Sequence, residues 1–260
     1  MVDHPLPVAT AYQPPSAKPW REALAPALDF LLPHLCAHCR CPIGREPGVC
    51  AACWAQLSFI TAPQCHCCGL PFPYDLGPEA LCVECLERPP SFTLARAALR
   101  YDDAAKPLLL GFKHADKIHW RGLLTKMLLP QAAPILAGAA GMIPVPLHWS
   151  RLLRRKYNQA ALIAQELSAL AAIPHRPELL RRDKRTTPHV AMNRKQRQKN
   201  VTGAFSVPKK FHTDVAGKTW VLIDDVYTTG STVDACSKAL LEAGASEIRV
   251  LCLARVCHDI

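Results

Sequence analysis

From residue 92 onward, apolar residues follow either a helical or a strand-like spacing. Leu162, Ile163, Leu167 and Leu170 recur every three to four positions, which predicts one apolar face of an α-helix. By the same criterion we predict helices over 106–114, 118–129, 158–171 and 229–243, the last ending at Gly244. Short apolar runs predict strands over 94–101, 141–145, 179–182, 219–223 and 248–254. Strands that alternate with helices are typical of an α/β fold with a mainly parallel sheet flanked by helices.

The residues before this region lack the alternation. Residues 1–22 are rich in proline and have no continuous apolar segment of the kind found in signal peptides, so we interpret them as a flexible tail. Residues 24–35 predict a short amphipathic helix, and residues 36–90 show little periodic structure. The predicted organisation is therefore a tail with a short helix (1–35), a small domain (36–90) and an α/β domain (91–260).

One uncharged stretch raises the question of a membrane span. Residues 127–147 are 21 positions without charge or histidine, which is long enough to cross a bilayer. The stretch contains Pro130, Pro134, Pro144 and Pro146, which a single helix would not accommodate easily. We interpret it as a helix end, a connector and a buried strand, and we expect a cytoplasmic protein with no membrane span.

Cysteine provides the first chemical signal. Eight of the thirteen cysteines form four C-x-x-C pairs between residues 36 and 85, a spacing that suits tetrahedral structural zinc. Two zinc ions are expected, and their stability contribution would replace the missing apolar core of this segment. Sequential pairing is simpler than a cross-braced arrangement, and both stay open, as does redox or disulfide use. The predicted ligands are Cys36, Cys39, Cys50, Cys53, Cys65, Cys68, Cys82 and Cys85.

Other cysteines and histidines need no metal role. Cys41, Cys67, His38 and His66 lie beside the pairs and are alternative ligands or spare surface residues. Cys236, Cys252 and Cys257 are expected in or near the core.

The charge is concentrated in one part of the chain. The net charge is +10, and residues 151–200 alone hold 13 Lys and Arg against three acids, so the other 210 residues are balanced. Such a cluster predicts an anionic ligand, either nucleic acid or a small phosphorylated molecule. Tyr157 is the only aromatic residue in the segment, and nucleic-acid stacking platforms need more, which favours the small ligand.

Residues 221–232 carry the strongest binding signal. The predicted strand leads into Asp224 and Asp225, and Thr228-Thr-Gly-Ser-Thr232 then opens a helix. The strand should deliver both acids to the carboxyl edge of the sheet, where open α/β folds bind ligands. The helix start offers free backbone N–H groups, hydroxyls and a positive dipole end to a phosphate. The alternative is a capped helix beside a solvated Asp pair; no P-loop motif is present.

This segment resembles the signature that binds phosphoribosyl pyrophosphate (PRPP) in type I phosphoribosyltransferases. Together with the cysteine pairs, other motifs make the chain similar to the ComF family (ComFC/GntX-like proteins) from residue 36 to about 256. These motifs are Ile143-Pro-Val-Pro-Leu-His148, Arg154-Arg-Lys-Tyr-Asn-Gln-Ala160, Arg182-x-x-Arg185-Thr-x-Pro188, Arg197-x-x-Asn200 and Ala204-Phe205. Two positions depart from the family pattern: Lys156 replaces the usual glycine, and His189 replaces the usual glutamine.

The resemblance implies a role for each matching position. Asp224 and Asp225 would act as the catalytic pair, contacting the ribose hydroxyls directly or through Mg²⁺. The 5′-phosphate would bind the turn, namely Val226, Tyr227, Thr228, Thr229, Gly230, Ser231 and Thr232. The pyrophosphate loop and the closing flexible loop would supply Arg154, Arg155, Lys156, Arg185 and Arg197.

Two functions follow from the resemblance. The first is a phosphoribosyltransferase that binds PRPP with Mg²⁺ and transfers the phosphoribosyl group to an acceptor that the sequence does not identify. The second is a non-catalytic accessory protein for competence and DNA uptake, which binds single-stranded DNA and a helicase-like partner.

Overall fold

A computed structural model of the chain describes residues 33–44, 48–113, 115–184, 196 and 201–257, and only the backbone of residues 115, 116, 151, 154 and 155. The α-helices are α1 (Ala51–Trp54), α2 (Val83–Glu87), α3 (Lys106–Gly111), α4 (Arg121–Leu136), α5 (Trp149–Arg155), α6 (Gln159–Ala171), α7 (His212–Val215) and α8 (Ser231–Glu242). The strands are β1 (Leu94–Arg100), β2 (Gly141–Pro144), β3 (Arg181–Arg182), β4 (Phe205–Ser206), β5 (Thr219–Tyr227) and β6 (Glu247–Arg255). Short 3₁₀ helices span Ala115–Trp120, Pro177–Leu179 and Lys209–Phe211.

A four-stranded sheet in the order β1-β6-β5-β2 forms the centre, and every neighbouring pair in it is parallel. The predicted α/β fold with a parallel sheet is thereby confirmed. Residues 220–223 of β5 are all buried, as expected of a central parallel strand covered on both faces. Helices α3, α4 and α6 pack on one face, and α8 with the small antiparallel pair β3–β4 covers the other.

Both edges of the sheet are covered by irregular backbone. Ile60 N–H donates to Ala98 O (2.9 Å) and Ala95 N–H donates to Cys67 O (2.6 Å), so the cysteine-rich segment lies along β1. On the opposite edge, Met142 N–H donates to Pro174 O at 2.8 Å. These bonds satisfy strand groups that would otherwise be exposed. They also fix the cysteine-rich segment to the sheet.

Helix α4 corrects one sequence prediction. The prediction ended this helix at residue 129, before Pro130, yet α4 continues through Pro130 and Pro134 to Leu136. Its buried face, which includes Leu128 and Ile135, packs on β1 and β6. The stabilisation from this burial exceeds the cost of the backbone hydrogen bonds that the two prolines cannot donate. Arg249 of β6 supplies donors at the helix end, with Nη1 donating to Ala137 O at 2.6 Å. Packing and an outside donor therefore stabilise a helix that local propensity would end.

Smaller corrections concern element ends. Leu35 forms an isolated bridge with Pro42 instead of ending the helix predicted over 24–35, whose first nine residues lie outside the described part. The strand predicted over 179–182 is a 3₁₀ turn at Pro177–Leu179 followed by the two-residue β3. Residues 186–199 are polar and basic, a pattern that predicts a mobile loop or a marginal helix, and apart from Gln196 they lie outside the described residues.

The uncharged stretch 127–147 contains the end of α4, a connector and β2, as predicted. Among the described residues, no helix has both the length and the apolar character needed to cross a bilayer.

Candidate functional site

The eight paired cysteines gather into two clusters. In each cluster, the four sulfur atoms lie within 4.8 Å of one another. Cys36, Cys39, Cys50 and Cys53 form the first cluster, and Cys65, Cys68, Cys82 and Cys85 form the second. The pairing is thus sequential rather than cross-braced.

The two clusters are built alike and suit zinc. In the first, Cys50 N–H donates to Cys36 Sγ at 3.3 Å; in the second, Cys82 N–H donates to Cys65 Sγ at the same distance. Sulfur atoms 3.7 Å apart (Cys39–Cys50) and 3.6 Å apart (Cys68–Cys82) are far from a disulfide bond. Zn–S bonds of about 2.3 Å in a tetrahedron place sulfurs about 3.8 Å apart, so both donor sets fit a zinc ion.

The acidic pair lies near the carboxyl end of β5, where β5 extends beyond its neighbour β2. Strand β2 pairs with β5 only as far as Pro144 opposite Ile223, and Val145 N–H adds one bond to Ile223 O (2.9 Å). Beyond this point β5 continues along β6 alone, with Asp224 opposite Cys252. The strand is longer than the predicted 219–223, because it continues through the acids to Tyr227. The side of β5 that β2 leaves free is where open α/β sheets bind ligands.

The two carboxyl groups have different environments. Desolvation and the neighbouring Asp225 carboxylate raise the pKa of Asp224 to about 8. The Asp225 carboxylate pairs with Lys113 Nζ at 3.0 Å, and the Asp225 N–H donates to Asp224 Oδ1 at 2.9 Å. A carboxyl group kept protonated near neutral pH by burial and a like charge is typical of a functional site.

The raised pKa of Asp224 predicts a pH-dependent stability. The folded state holds a proton that the unfolded chain releases above its ordinary value of 3.8, so stability should fall as pH rises from about 4 to about 8. Asp224→Asn removes this titration, so the variant should gain in Tm over the wild type between pH 5 and pH 8. Thermal melts of both proteins across this range test the prediction, and a constant Tm difference would contradict it.

The turn after β5 places a left-handed glycine directly before α8. Gly230 precedes α8 with φ +71°, and a Cβ atom there would lie 2.3 Å from Tyr227 Oη. No other residue fits this position without moving the tyrosine ring. Thr229 Oγ1 and Ser231 Oγ lie 2.9 Å apart at the start of α8, where the first backbone N–H groups have no partner within the helix.

The predicted pyrophosphate loop lies at the same end of the sheet. It follows β2 and leads into α5, whose last residues include Arg154 and Arg155; their side chains lie outside the description. Lys156 adopts φ +66°, a left-handed conformation that explains why the family usually places glycine there. Arg185, Arg197 and His189 also lie outside the described residues.

Sequence reasoning missed the residues that organise this loop. Tyr157 is buried, and its hydroxyl donates to Phe112 O at 2.6 Å, next to Lys113. Asn158 caps α6 and donates from Nδ2 to Val145 O at 2.9 Å. The sequence Tyr157-Asn-Gln159 before a helix indicates that these residues matter, but it identifies neither Phe112 O nor Val145 O as their hydrogen-bond partners. Lys113 lies inside the helix predicted over 106–114, with no pattern that distinguishes it, and in the structure it follows the end of α3 at Gly111.

Known protein families match both the cysteine-rich segment and the α/β domain of the chain. The family model of the double zinc ribbon domain matches residues 27–86, and that of the phosphoribosyl transferase domain matches residues 159–259. Competence protein F of Haemophilus influenzae is 31% identical over 85% of this chain and 96% of its own length. DNA utilization protein YhgH of Escherichia coli is 29% identical over 86% and 98%, and competence protein ComFC of Bacillus subtilis 28% over 76% and 80%. The chain therefore belongs to the ComF family, with a double zinc ribbon followed by a phosphoribosyltransferase domain.

Proposed function

We propose that this protein binds PRPP with Mg²⁺ at the carboxyl edge of its sheet and transfers the phosphoribosyl group to an acceptor. The observation that carries the proposal is the arrangement of Asp224 and Asp225 directly before the left-handed Gly230 turn. The phosphoribosyltransferase domain match supports it. We place the activity in the cytoplasm, where reducing conditions keep cysteine thiolates available for zinc.

The two ends of the ligand would meet two kinds of group. The 5′-phosphate would accept hydrogen bonds from the N–H groups and hydroxyls at the start of α8. The Asp225 carboxylate and the carbonyl oxygen of the protonated Asp224 carboxyl group would accept hydrogen bonds from the ribose hydroxyls. Lys113, which now pairs with Asp225 at 3.0 Å, lies close enough to neutralise charge on the ligand. Residues 151–200 hold 13 Lys and Arg against three acids, and this positive charge would balance the negative charge of the pyrophosphate.

The reaction would be a substitution at the ribose C1 atom. The acceptor's lone pair forms the new bond to C1, and the C1–O bond breaks with its electron pair leaving on pyrophosphate. Magnesium, when bound, would neutralise the pyrophosphate charge. The chain's own part is to fix the ribose by Asp224 and Asp225 and to hold both phosphate groups in place. Arg side chains suit this task because their planar donors match phosphate oxygens in pairs.

Calorimetric titration of the zinc-loaded protein with PRPP and Mg²⁺ tests the binding step. Gly230→Ala should weaken binding at least about tenfold, since its Cβ would displace the Tyr227 ring and distort the cradle. Gly138→Ala is the matched control: Gly138 has φ +67° but open space around its Cβ position, so binding should stay at the wild-type level. Absence of PRPP binding by the wild type would contradict the proposal.

A second function, binding of single-stranded DNA, is favoured by one observation on α5. Trp149 is 65% exposed and Leu153 is 73% exposed, and Arg151, Arg154 and Arg155 are interleaved with them in the sequence. An exposed indole among cationic residues suits base stacking. Tyr157, the aromatic residue noted in the basic segment, is buried and is not available for this role. The names of the competence and DNA utilization relatives support the idea.

Trp149→Ala should lower the affinity for a single-stranded oligonucleotide by about 1–3 kcal/mol, the value of one stacked base. Trp54→Ala is the control, because Trp54 is 44% exposed and packs against Phe59, which bridges to Leu99 on β1, whereas α5 follows β2 at the opposite edge of the sheet. Fluorescence anisotropy at several salt concentrations measures both. Equal affinities of the two variants would argue against α5 as a DNA site.

A further inference from the structure

The two cysteine clusters differ in what they pack against. All four cysteines of the second cluster are buried and share one apolar core with Val233 and Cys236 of α8. In the first cluster Cys39 is exposed, and its neighbours Ala37 and Leu57 pack on the opposite face of the sheet. In the described part of the chain, the second cluster therefore shares its core with the helix whose N-terminus forms the proposed phosphate cradle, and no cysteine of the first cluster belongs to that core.

A buried arginine connects the second cluster to the turn. Arg255 ends β6, is only 4% exposed, and donates from Nη1 to Cys68 O at 2.6 Å. Its guanidinium carbon lies 4.3 Å from the centroid of the Tyr227 ring, which is its register partner on β5. A zinc ion with four thiolates carries two net negative charges, which explains why a guanidinium is retained at this depth.

The Tyr227 ring then supports the turn itself. It lies directly against Gly230, because a Cβ atom added to Gly230 would lie only 2.3 Å from Tyr227 Oη. Phe92 also packs against the ring in an edge-on contact, with centroids 6.2 Å apart. A cavity of about 130 Å³ lies between cluster and turn, lined by Cys68, Cys85, Tyr227 and Gly230 among others. Without the ring in this position, the turn has room to collapse into the cavity.

We propose that Arg255 and Tyr227 are positioning residues through which the second cysteine cluster, with its metal, holds the Gly230 turn in its anion-binding shape. The inference rests on the proposed function, since it assigns the turn to phosphate binding. Under this proposal the second cysteine cluster (Cys65, Cys68, Cys82 and Cys85) is part of the ligand site, and the first cluster has no such role.

Four single variants of the full-length, zinc-loaded protein test this link. Arg255→Met and Tyr227→Leu each break it, whereas Tyr227→Phe keeps the ring. Arg96→Met is the matched control, because Arg96 donates to the backbone of the same ribbon, to His66 O at 3.0 Å, without reaching the turn. Zinc content is measured for each variant and should stay at two ions per chain, so that any effect on the turn is separate from metal loss.

Hydrogen exchange of the backbone amides of residues 228–233 is the readout. Arg255→Met and Tyr227→Leu should speed it at least about tenfold, while Tyr227→Phe and Arg96→Met leave it at the wild-type rate. The PRPP dissociation constant should rise about tenfold in the same two variants. If Arg255→Met does not fold, Tyr227→Leu gives the same test. Exchange in Tyr227→Leu equal to that in Arg96→Met would overturn the inference, whereas failure of the wild type to bind PRPP would contradict only the proposed function.

Discussion

Replacing Asp224 and Asp225 together by asparagine is expected to abolish PRPP binding in the presence of Mg²⁺, weakening it by at least about 100-fold. Each carboxylate that accepts a hydrogen bond from a ribose hydroxyl is worth about 1.5–3 kcal/mol, and two such losses correspond to about 100-fold or more. Asparagine keeps the shape of each side chain, but it replaces one acceptor oxygen of each acid by an N–H donor group and removes the negative charge of Asp225. Titration calorimetry with PRPP and Mg²⁺ measures the loss.

The single variants should differ from each other. Asp225→Asn also frees Lys113, whose ammonium group now lies 3.0 Å from the Asp225 carboxylate. We therefore expect this variant to bind inorganic pyrophosphate more tightly in the absence of Mg²⁺ than Asp224→Asn does. Asp103→Asn is the control, since Asp103 pairs with Lys106 at a site where its side chain is 97% exposed. Retention of PRPP binding by the double variant would show that the acidic pair is not part of the ligand site.

The residues that sequence analysis placed correctly share a short-range signal. Each four-cysteine cluster is built from two C-x-x-C pairs, and the pairs lie only ten or thirteen residues apart. The Asp224–Gly230 segment is continuous, so a strand, two acids and a helix start could be recognised together. Their geometry follows from local rules: a strand delivers side chains to its end, and a helix start presents N–H groups.

The residues that sequence analysis missed depend on long-range contacts. Arg255 reaches Cys68 across 187 positions, because β6 pairs with β1 and the cysteine-rich segment lies along β1. Lys113 meets Asp225 because α3 packs on the sheet through Leu108 and Leu109, and the adjacent Phe112 O accepts a hydrogen bond from Tyr157. Neither contact follows from spacing or composition. Helix α4 shows the same limit, since its passage through two prolines depends on burial and on Arg249 donors.

Loss of one cysteine from each cluster should have unequal effects on stability. Cys68→Ser removes a ligand from a cluster whose four cysteines are all buried in the core shared with α8. We expect a loss of about 5 kcal/mol, which corresponds to a fall in Tm of about 10–20 °C for a chain of this size. Cys39→Ser removes an exposed ligand of the first cluster, and the fall should stay below about 5 °C. Differential scanning fluorimetry and zinc analysis measure both variants.

A control variant and the zinc content show whether a loss of stability comes from loss of the metal or from the cysteine substitution itself. Cys41→Ser changes a cysteine that lies beside the first cluster without belonging to it, so both zinc ions and the wild-type Tm should remain. Cys39→Ser and Cys68→Ser should each bind only one zinc ion per chain, because a four-thiolate site that loses one ligand binds its metal far less tightly. If the two variants lost equal stability, the first ribbon would be as important to the folded core as the second. The difference in burial between the clusters would then have no energetic meaning, and the proposed link from the second cluster to the Gly230 turn would lose its physical basis.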